Sequence, residues 1–260
     1  MATAFRAHWT HYAIEAWGLG TFMFVAGAVA AVLSHCTFAP LLARAIFGVA
    51  MGLTVLALVY SPWGTISGAH FNPSLTLAFA WLRKLEPWDA AFYVLAQFGG
   101  AIAGFALATL LFGTALAGPP ASDIVTKPGE LGVAAAFCAE FAMSFVLLTV
   151  VLYVSNASSL ARYTGVFAGC LVALYITFEA PLSGMSLNPA RSLASAIPAG
   201  DWTAMWVYFT APPLGMFAAA FAFARSQGKH AVKCGRLNHA SPEPCIFRCS
   251  FRTPWGHHEA

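Results

Sequence analysis

Two asparagines carry the most informative chemistry in this chain. Asn72 stands in Ser67-Gly68-Ala69-His70-Phe71-Asn72-Pro73-Ser74-Leu75-Thr76-Leu77, and Asn188 in Ser183-Gly184-Met185-Ser186-Leu187-Asn188-Pro189-Ala190-Arg191-Ser192-Leu193. Aligned without gaps, the stretches share Ser-Gly, Asn-Pro and a final Leu, with Thr76 opposite Ser192. Asn caps a helix through its side-chain oxygen, and Pro suits the first helical position. Each Asn-Pro pair is therefore predicted to open a helix, the first reaching about Leu82 and the second stopping at Ile197, before Pro198. At 1.5 Å per residue each is about 15 Å long, half a hydrocarbon core. Once the oxygen caps, the amide NH2 is free to donate into a lumen. Two such helices meeting end to end would bring two positive helix ends to one point. The residues before each Asn, Gly68, Ala69 and His70 in one stretch and Gly184 and Ser186 in the other, are expected to be extended. In a membrane, such backbone is tolerated where protein buries it or where it lines a water-filled cavity. A single Asn-Pro is most simply a helix cap. Two in matching surroundings point to a binding site or pore at the bilayer midplane.

The elements that must position these motifs are membrane spans. Hydrophobic residues make up 59% of the chain and charged residues 9%, against about 25% charged in a soluble domain. The class is an all-α integral membrane protein. A span needs about 20 residues, and six segments qualify, near 12–33, 42–60, 89–112, 132–154, 163–180 and 203–224. The first is read as a retained span and not as a signal peptide. Glu15 in the first span corresponds to Glu140 in the fourth, and each Asn-Pro follows the second span of its half. Three spans per half give the halves opposite topology, an inverted repeat over about 10–113 and 131–224 within a channel domain of 1–224. Arg6, Arg83, Lys84, Arg162 and the basic residues of 225–260 fall on one side, and Arg44, Lys127 and Arg191 on the other. Both termini are expected to be cytoplasmic, in a plasma or inner membrane. Residues 225–260 read as a basic, disordered tail able to touch anionic lipid.

With those motifs in place, the chain resembles the aquaporin (major intrinsic protein) family over about residues 10–225. The resemblance implies a right-handed bundle of six helices and two half-helices, one pore per subunit and a homotetramer. It implies a selectivity constriction at Met51, Ile176, Met185 and Arg191. Water-selective members commonly have His where Ile176 stands, and glycerol facilitators have two aromatics and Gly, so this set is unusual. Ser74 stands where the family usually has Ala, which could change pore polarity. Ser192, Ala196 and Tyr208-Phe209 match the water-channel pattern. The function implied is passive conduction of water, with small neutral solutes as further candidates. Protons and ions are excluded.

Other residues were weighed against blander roles. Glu15 and Glu140 could form a proton relay, but the resemblance implies that they hold the pore loops. His70 could gate, but the family His packs beneath its loop. Glu179 lies near the outer mouth, where it could attract cations, pair indirectly with Arg191 or merely be solvated. Gln97-Phe98-Gly99-Gly100 and Gly104 supply small residues for helix packing. Cys234, Cys245, Cys249, His257 and His258 could bind a metal, yet their spacing is irregular and no metal is expected. No cofactor and no nucleic-acid partner are expected from a net charge of +3. There is no HExxH, no Gly-x-Ser-x-Gly and no carboxylate cluster, which argues against a membrane enzyme. An ion-coupled secondary transporter is the competing class, but paired intramembrane Asp or Lys is absent.

Overall fold

A computed structural model describes residues 1–119, 121, 124–239 and 245–250. The helices are α1 (Ala2–Ser34), α2 (Pro40–Tyr60), α3 (Pro62–Ser67), α4 (Pro73–Trp81), α5 (Pro87–Leu116), α6 (Gly132–Asn156), α7 (Thr164–Phe178), α8 (Ala180–Ser183), α9 (Pro189–Ala199) and α10 (Met205–Gln227). Among the described residues six stretches are long and apolar enough to cross a membrane: α1, α2, α5, α6, Ala161–Phe178 (a 3-10 turn continued by α7) and α10. The order long, long, short, short, long occurs twice, so α1–α5 correspond to α6–α10.

The boundaries differ from expectation where side chains add support. α1 starts at Ala2, not near residue 12, because its first turns dock on α5: Tyr12 Oη donates to Asp89 Oδ1 at 2.6 Å, and His8 Nδ1 lies 2.9 Å from the same oxygen. α9 does not stop at Ile197. It carries Pro198 in its last turn and ends where Gly200 turns left-handed at φ 63°. Pro198 has no N–H to donate back along the helix, and the turn is closed by Gly200 N donating to Ile197 O at 3.4 Å.

Helices pack in matched pairs, α1 on α5 and α6 on α10, with α2 against α7 joining the halves. Small residues allow these approaches. A Cβ on Gly104 would lie 2.0 Å from the Gly20 carbonyl oxygen, and one on Gly52 would lie 2.5 Å from that of Gly169. Gly99, by contrast, has nothing within 4 Å of its Cβ position. Two single substitutions should therefore diverge. Gly104→Ala is expected to destabilise by about 3 kcal/mol, since backbone must move. Gly99→Ala should stabilise by up to about 1 kcal/mol through helix propensity. Thermal unfolding in mild detergent measures both, and equal midpoints would mean the α1–α5 contact is looser than described.

The segment expected to be a disordered tail is folded where it is described: residues 228–239 and 245–250 lie over the end of the bundle where α1 begins and α10 ends. Val232, Cys234, Leu237 and Phe247 are buried at 0–4% exposure. Leu237 N donates to Gly68 O at 3.1 Å, Lys233 N to Asn156 Oδ1 at 2.6 Å, and Ser250 N to Lys233 O at 2.8 Å. Arg248 pairs with Glu86. A few apolar side chains among polar ones suffice, because each finds a place against α4, α5 or the 68–72 loop. Burial pushes the Cys234 thiol well above its ordinary range, and the neighbouring thiols of Cys245 and Cys249 add to that. His257 and His258 lie outside the described residues.

Candidate functional site

Each site loop is an interrupted helix. α3 begins at Ser61-Pro62, where Ser61 Oγ accepts from Gly64 N at 2.9 Å, and ends at Gly68 with φ 94°. α8 ends likewise at Gly184 with φ 79°. The chain then does not run extended as expected. Ala69, Phe71, Met185 and Leu187 all have positive φ, at 57°, 45°, 50° and 57°. Such backbone is strained for residues with a Cβ, so something must hold it.

The holders are the two buried carboxylates. Glu15 Oε1 accepts from Ser67 Oγ at 2.7 Å and His70 N at 3.1 Å, and its Oε2 accepts from Phe71 N at 2.6 Å and Gln97 Nε2 at 2.8 Å. Glu140 repeats this: Oε1 accepts from Ser183 Oγ and Ser186 N, both at 2.6 Å, and Oε2 from Leu187 N at 2.8 Å. Both side chains are fully buried and neither lines the central cavity. Tyr93 and Tyr208 complete the frame, donating to Ser67 O and Ser183 O at 2.7 Å each. Sequence reading missed Tyr93 in this role. Its signal was the repeat itself, since Tyr93 and Tyr208 occupy equivalent places in α5 and α10.

Asn72 Oδ1 caps α4 by accepting from Ser74 N at 2.8 Å. Asn188 Oδ1 caps α9 by accepting from Ala190 N at 3.0 Å and Arg191 N at 3.3 Å. The amide groups are less free than expected. Asn72 Nδ2 donates to Leu187 O at 2.8 Å, and Asn188 Nδ2 donates to Phe71 O at 2.9 Å. These crossed bonds lock the two helix N-termini against each other. Each amide keeps one further hydrogen, and both asparagines line the cavity.

That cavity has a volume of about 530 Å³. Its α2 lining runs from Pro40 to Val59, about 28 Å along the helix axis. It therefore follows most of a hydrocarbon core. Met51, Ile176, Met185 and Arg191 all face it, as do Ala69, His70, Gly184 and Ser186. Met51, Ile176 and Met185 belong to one apolar cluster against which Phe22 and Phe47 pack. Arg191 Nη1 donates to Ile124 O at 2.8 Å and to Ser195 Oγ at 3.4 Å, which fixes the guanidinium at the wall. Arg44, counted in the sequence only for orientation, also lines the cavity, and its Nε donates to Thr177 O at 3.1 Å.

Other expected site residues stay away from the lumen. Pro73, Ser74, Pro189, Ala190 and Gly68 are not among the lining residues. Ser74 is fully buried and its Oγ has no partner, so it does not alter pore polarity. His70 packs beneath its loop, stacked on Phe79 at 5.2 Å, with Nε2 donating to Gly235 O at 2.9 Å. Nδ1 then accepts from Thr76 Oγ1 at 3.1 Å, and Thr76 in turn accepts from Gln97. In the second half Ser186 and Ser192 stand where His70 and Thr76 do, 2.6 Å apart, with Thr126 donating to Ser192. After α7, both Glu179 carboxylate oxygens are buried.

This arrangement can order and pass small polar molecules; it holds no nucleophile–base pair. Known proteins place it further. The family model "Major intrinsic protein" matches residues 6–223. The chain is 36% identical over 230 residues to "Aquaporin NIP3-1" of Oryza sativa subsp. japonica, covering 87% of this chain and 70% of that protein. It is 36% identical over 210 residues to "Aquaporin NIP1-2" of the same plant, covering 79% and 68%. In structure it is similar to the aquaglyceroporin from Plasmodium falciparum, with TM-score 0.73 and 19% identity over 86% of this chain and 98% of that one, a likeness of fold. A family match over most of the chain thus meets the same repeated loops, crossed asparagines and six spans found here: this chain belongs to the major intrinsic protein family.

Proposed function

We propose that the chain is a passive channel that conducts water down osmotic gradients and excludes protons and ions. The observation that carries this is the junction of α4 and α9, where two capped helix ends and two asparagine amides face one lumen. A water molecule passing there accepts from both amides, which turns its oxygen toward them and interrupts a proton wire. The positive helix ends oppose cations. Relatives named aquaporins support the same reading. We read Met51, Ile176, Met185 and Arg191 as the selectivity constriction, with both termini cytoplasmic and four copies in the membrane. A monomeric mass in native membranes would count against the tetramer.

One feature favours a second reading, a small-neutral-solute facilitator. Besides Arg191, the residues read as the constriction are Met51, Ile176 and Met185, whose side chains carry no donor, and methionine adapts its shape. Reconstituted vesicles exposed to a glycerol gradient separate the two. Water permeability well above that of empty vesicles, with slow glycerol entry, fits the first reading. Glycerol entry that keeps pace with water replaces it with the second.

The constriction assignment makes its own prediction. Met185 is 6% exposed and faces the cavity, but a thioether gives mercury no thiolate to attack. Cys138 and Cys170 are exposed and do not line the cavity, whereas the exposed Cys36 does, so the comparison is made in a Cys36→Ser background. There mercury(II) is expected to leave most flux and to block Met185→Cys nearly completely, reversibly with a thiol. Equal block of both proteins would place the reactive site elsewhere.

A further inference from the structure

The cysteines of the tail are apart in the chain and together in the fold. The Sγ atoms of Cys234, Cys245 and Cys249 lie within 4.8 Å of one another, and Cys234 and Cys245 are 3.5 Å apart. This is far longer than a disulfide, about 2.05 Å. It brackets the spacing of about 3.8 Å that thiolates take around an ion at about 2.3 Å in tetrahedral geometry. Cys234 is 1% exposed and the other two are half-buried, so one sulfur anchors the group from within and two close it from outside. We propose that Cys234, Cys245 and Cys249 form a binding site for a thiophilic d10 metal cation such as zinc(II), which pins the tail over the end of the pore.

The surroundings suit such an ion. Three thiolates around a divalent cation leave one net negative charge. Lys84 meets it nearby: its Nζ donates to the carbonyl of Arg248, the neighbour of Cys249, at 3.2 Å. Arg236 N donates to Cys234 Sγ at 3.4 Å, a bond that strengthens when the sulfur becomes a thiolate. Coordination displaces one proton from each thiol to solvent, and the fourth tetrahedral position is left for water. Soft thiolate ligands select zinc(II) or copper(I) over magnesium(II) and calcium(II).

The site is tied to the pore through the residues next to Cys234. Gly235 O accepts from His70 Nε2, Arg236 Nη2 donates to Ile66 O at 3.3 Å, and Leu237 lines the cavity. Phe247, between Cys245 and Cys249, packs its ring 5.0 Å from that of His70. Joining Cys234 to Cys245 and Cys249 closes a loop around these contacts, so an ion there holds Leu237 and Phe247 in place.

The test uses full-length protein in detergent with Cys36, Cys138 and Cys170, all exposed, replaced by serine. Under reducing conditions cobalt(II) should give a sulfur-to-metal charge-transfer band, lost on adding one equivalent of zinc(II). Cys234→Ser, Cys245→Ser and Cys249→Ser should each weaken zinc(II) binding by about 100-fold or more. Zinc(II) should also slow trypsin cleavage after Lys233 and Arg236 in the parent and not in the variants. The half-buried Cys249→Ser keeps the buried packing intact and guards against a folding artefact. No band, a band that survives the serine changes, or cleavage indifferent to zinc(II) overturns the proposal. So does a Cys234–Cys245 disulfide in protein taken from membranes with its thiols blocked. None of these readouts measures transport, so the result stands apart from the channel reading.

Discussion

Replacing Arg191 with valine is expected to leave water flux largely intact and to let protons or small cations through. The guanidinium is held at the cavity wall by Ile124 O and Ser195 Oγ, and its other N–H groups remain for the lumen. It stays charged in any ordinary environment. A unit charge about 5 Å from the path, at an effective dielectric near 20, is worth about 3 kcal/mol against a passing cation. Solvent in the lumen screens part of this, so a leak at least about ten-fold above wild type is the expected size. The effect should be large in this chain because Met51, Ile176 and Met185, which share the cavity wall with Arg191, carry no polar side-chain donor. Arg191→Lys should retain most of the barrier. Adding Asn188→Asp to Arg191→Val should raise the leak further, since a carboxylate then offsets the positive helix end. The measurement is proton flux into vesicles loaded with a pH dye under an imposed potential. A Val variant as proton-tight as wild type would leave exclusion to the helix ends alone.

The second large effect concerns Glu15. Alanine there removes the acceptor from the Ser67 hydroxyl hydrogen, from the amides of His70 and Phe71, and from one hydrogen of Gln97 Nε2, whose other bond goes to Thr76. Each buried donor left unpaired costs about 1–3 kcal/mol, and some will find each other. The left-handed Ala69 and Phe71 also lose their support. A loss of about 4 kcal/mol or more follows, enough to prevent stable folding in a marginally stable protein. Glu15→Gln should fall between the two, because it keeps one acceptor oxygen and points an NH2 at other donors. Folded yield and thermal midpoint in detergent measure this. A proton relay predicts the reverse pattern, a stable Glu15→Ala with altered proton flux only. The four donors held by Glu15 are the reason to expect instability.

The spans and the half-helices were legible because their signals are local. Apolar length marks a span, and Asn-Pro marks a helix start wherever it sits. The repeat added what neither copy could say, that the two helices meet. Parts of the site were legible in principle and missed. Ser61-Pro62 and Gly68 are ordinary start and stop signals, yet a helix of six residues is too short for apolar periodicity to show. The positive φ at Phe71 and Leu187 had no local signal, because neither residue favours that region. It follows from Glu15 and Glu140, more than forty residues away in each case. The same is true of the crossed asparagine amides, which join residues 115 and 117 positions apart. The tail misled for the opposite reason. Its composition is polar and its cysteines are unevenly spaced, and only docking onto His70, Tyr93 and the 68–72 loop brings Phe247 and the three sulfurs together.

The claim most exposed to refutation is passive conduction through the lumen where Asn72 and Asn188 meet. Stopped-flow light scattering on vesicles carrying the protein tests it most directly. Osmotic water flux should exceed that of empty vesicles, rise linearly with the gradient, show a lower activation energy than the bare bilayer, and ignore any ion gradient. Flux that saturates and depends on a sodium or proton gradient would contradict the account and make the chain a coupled transporter.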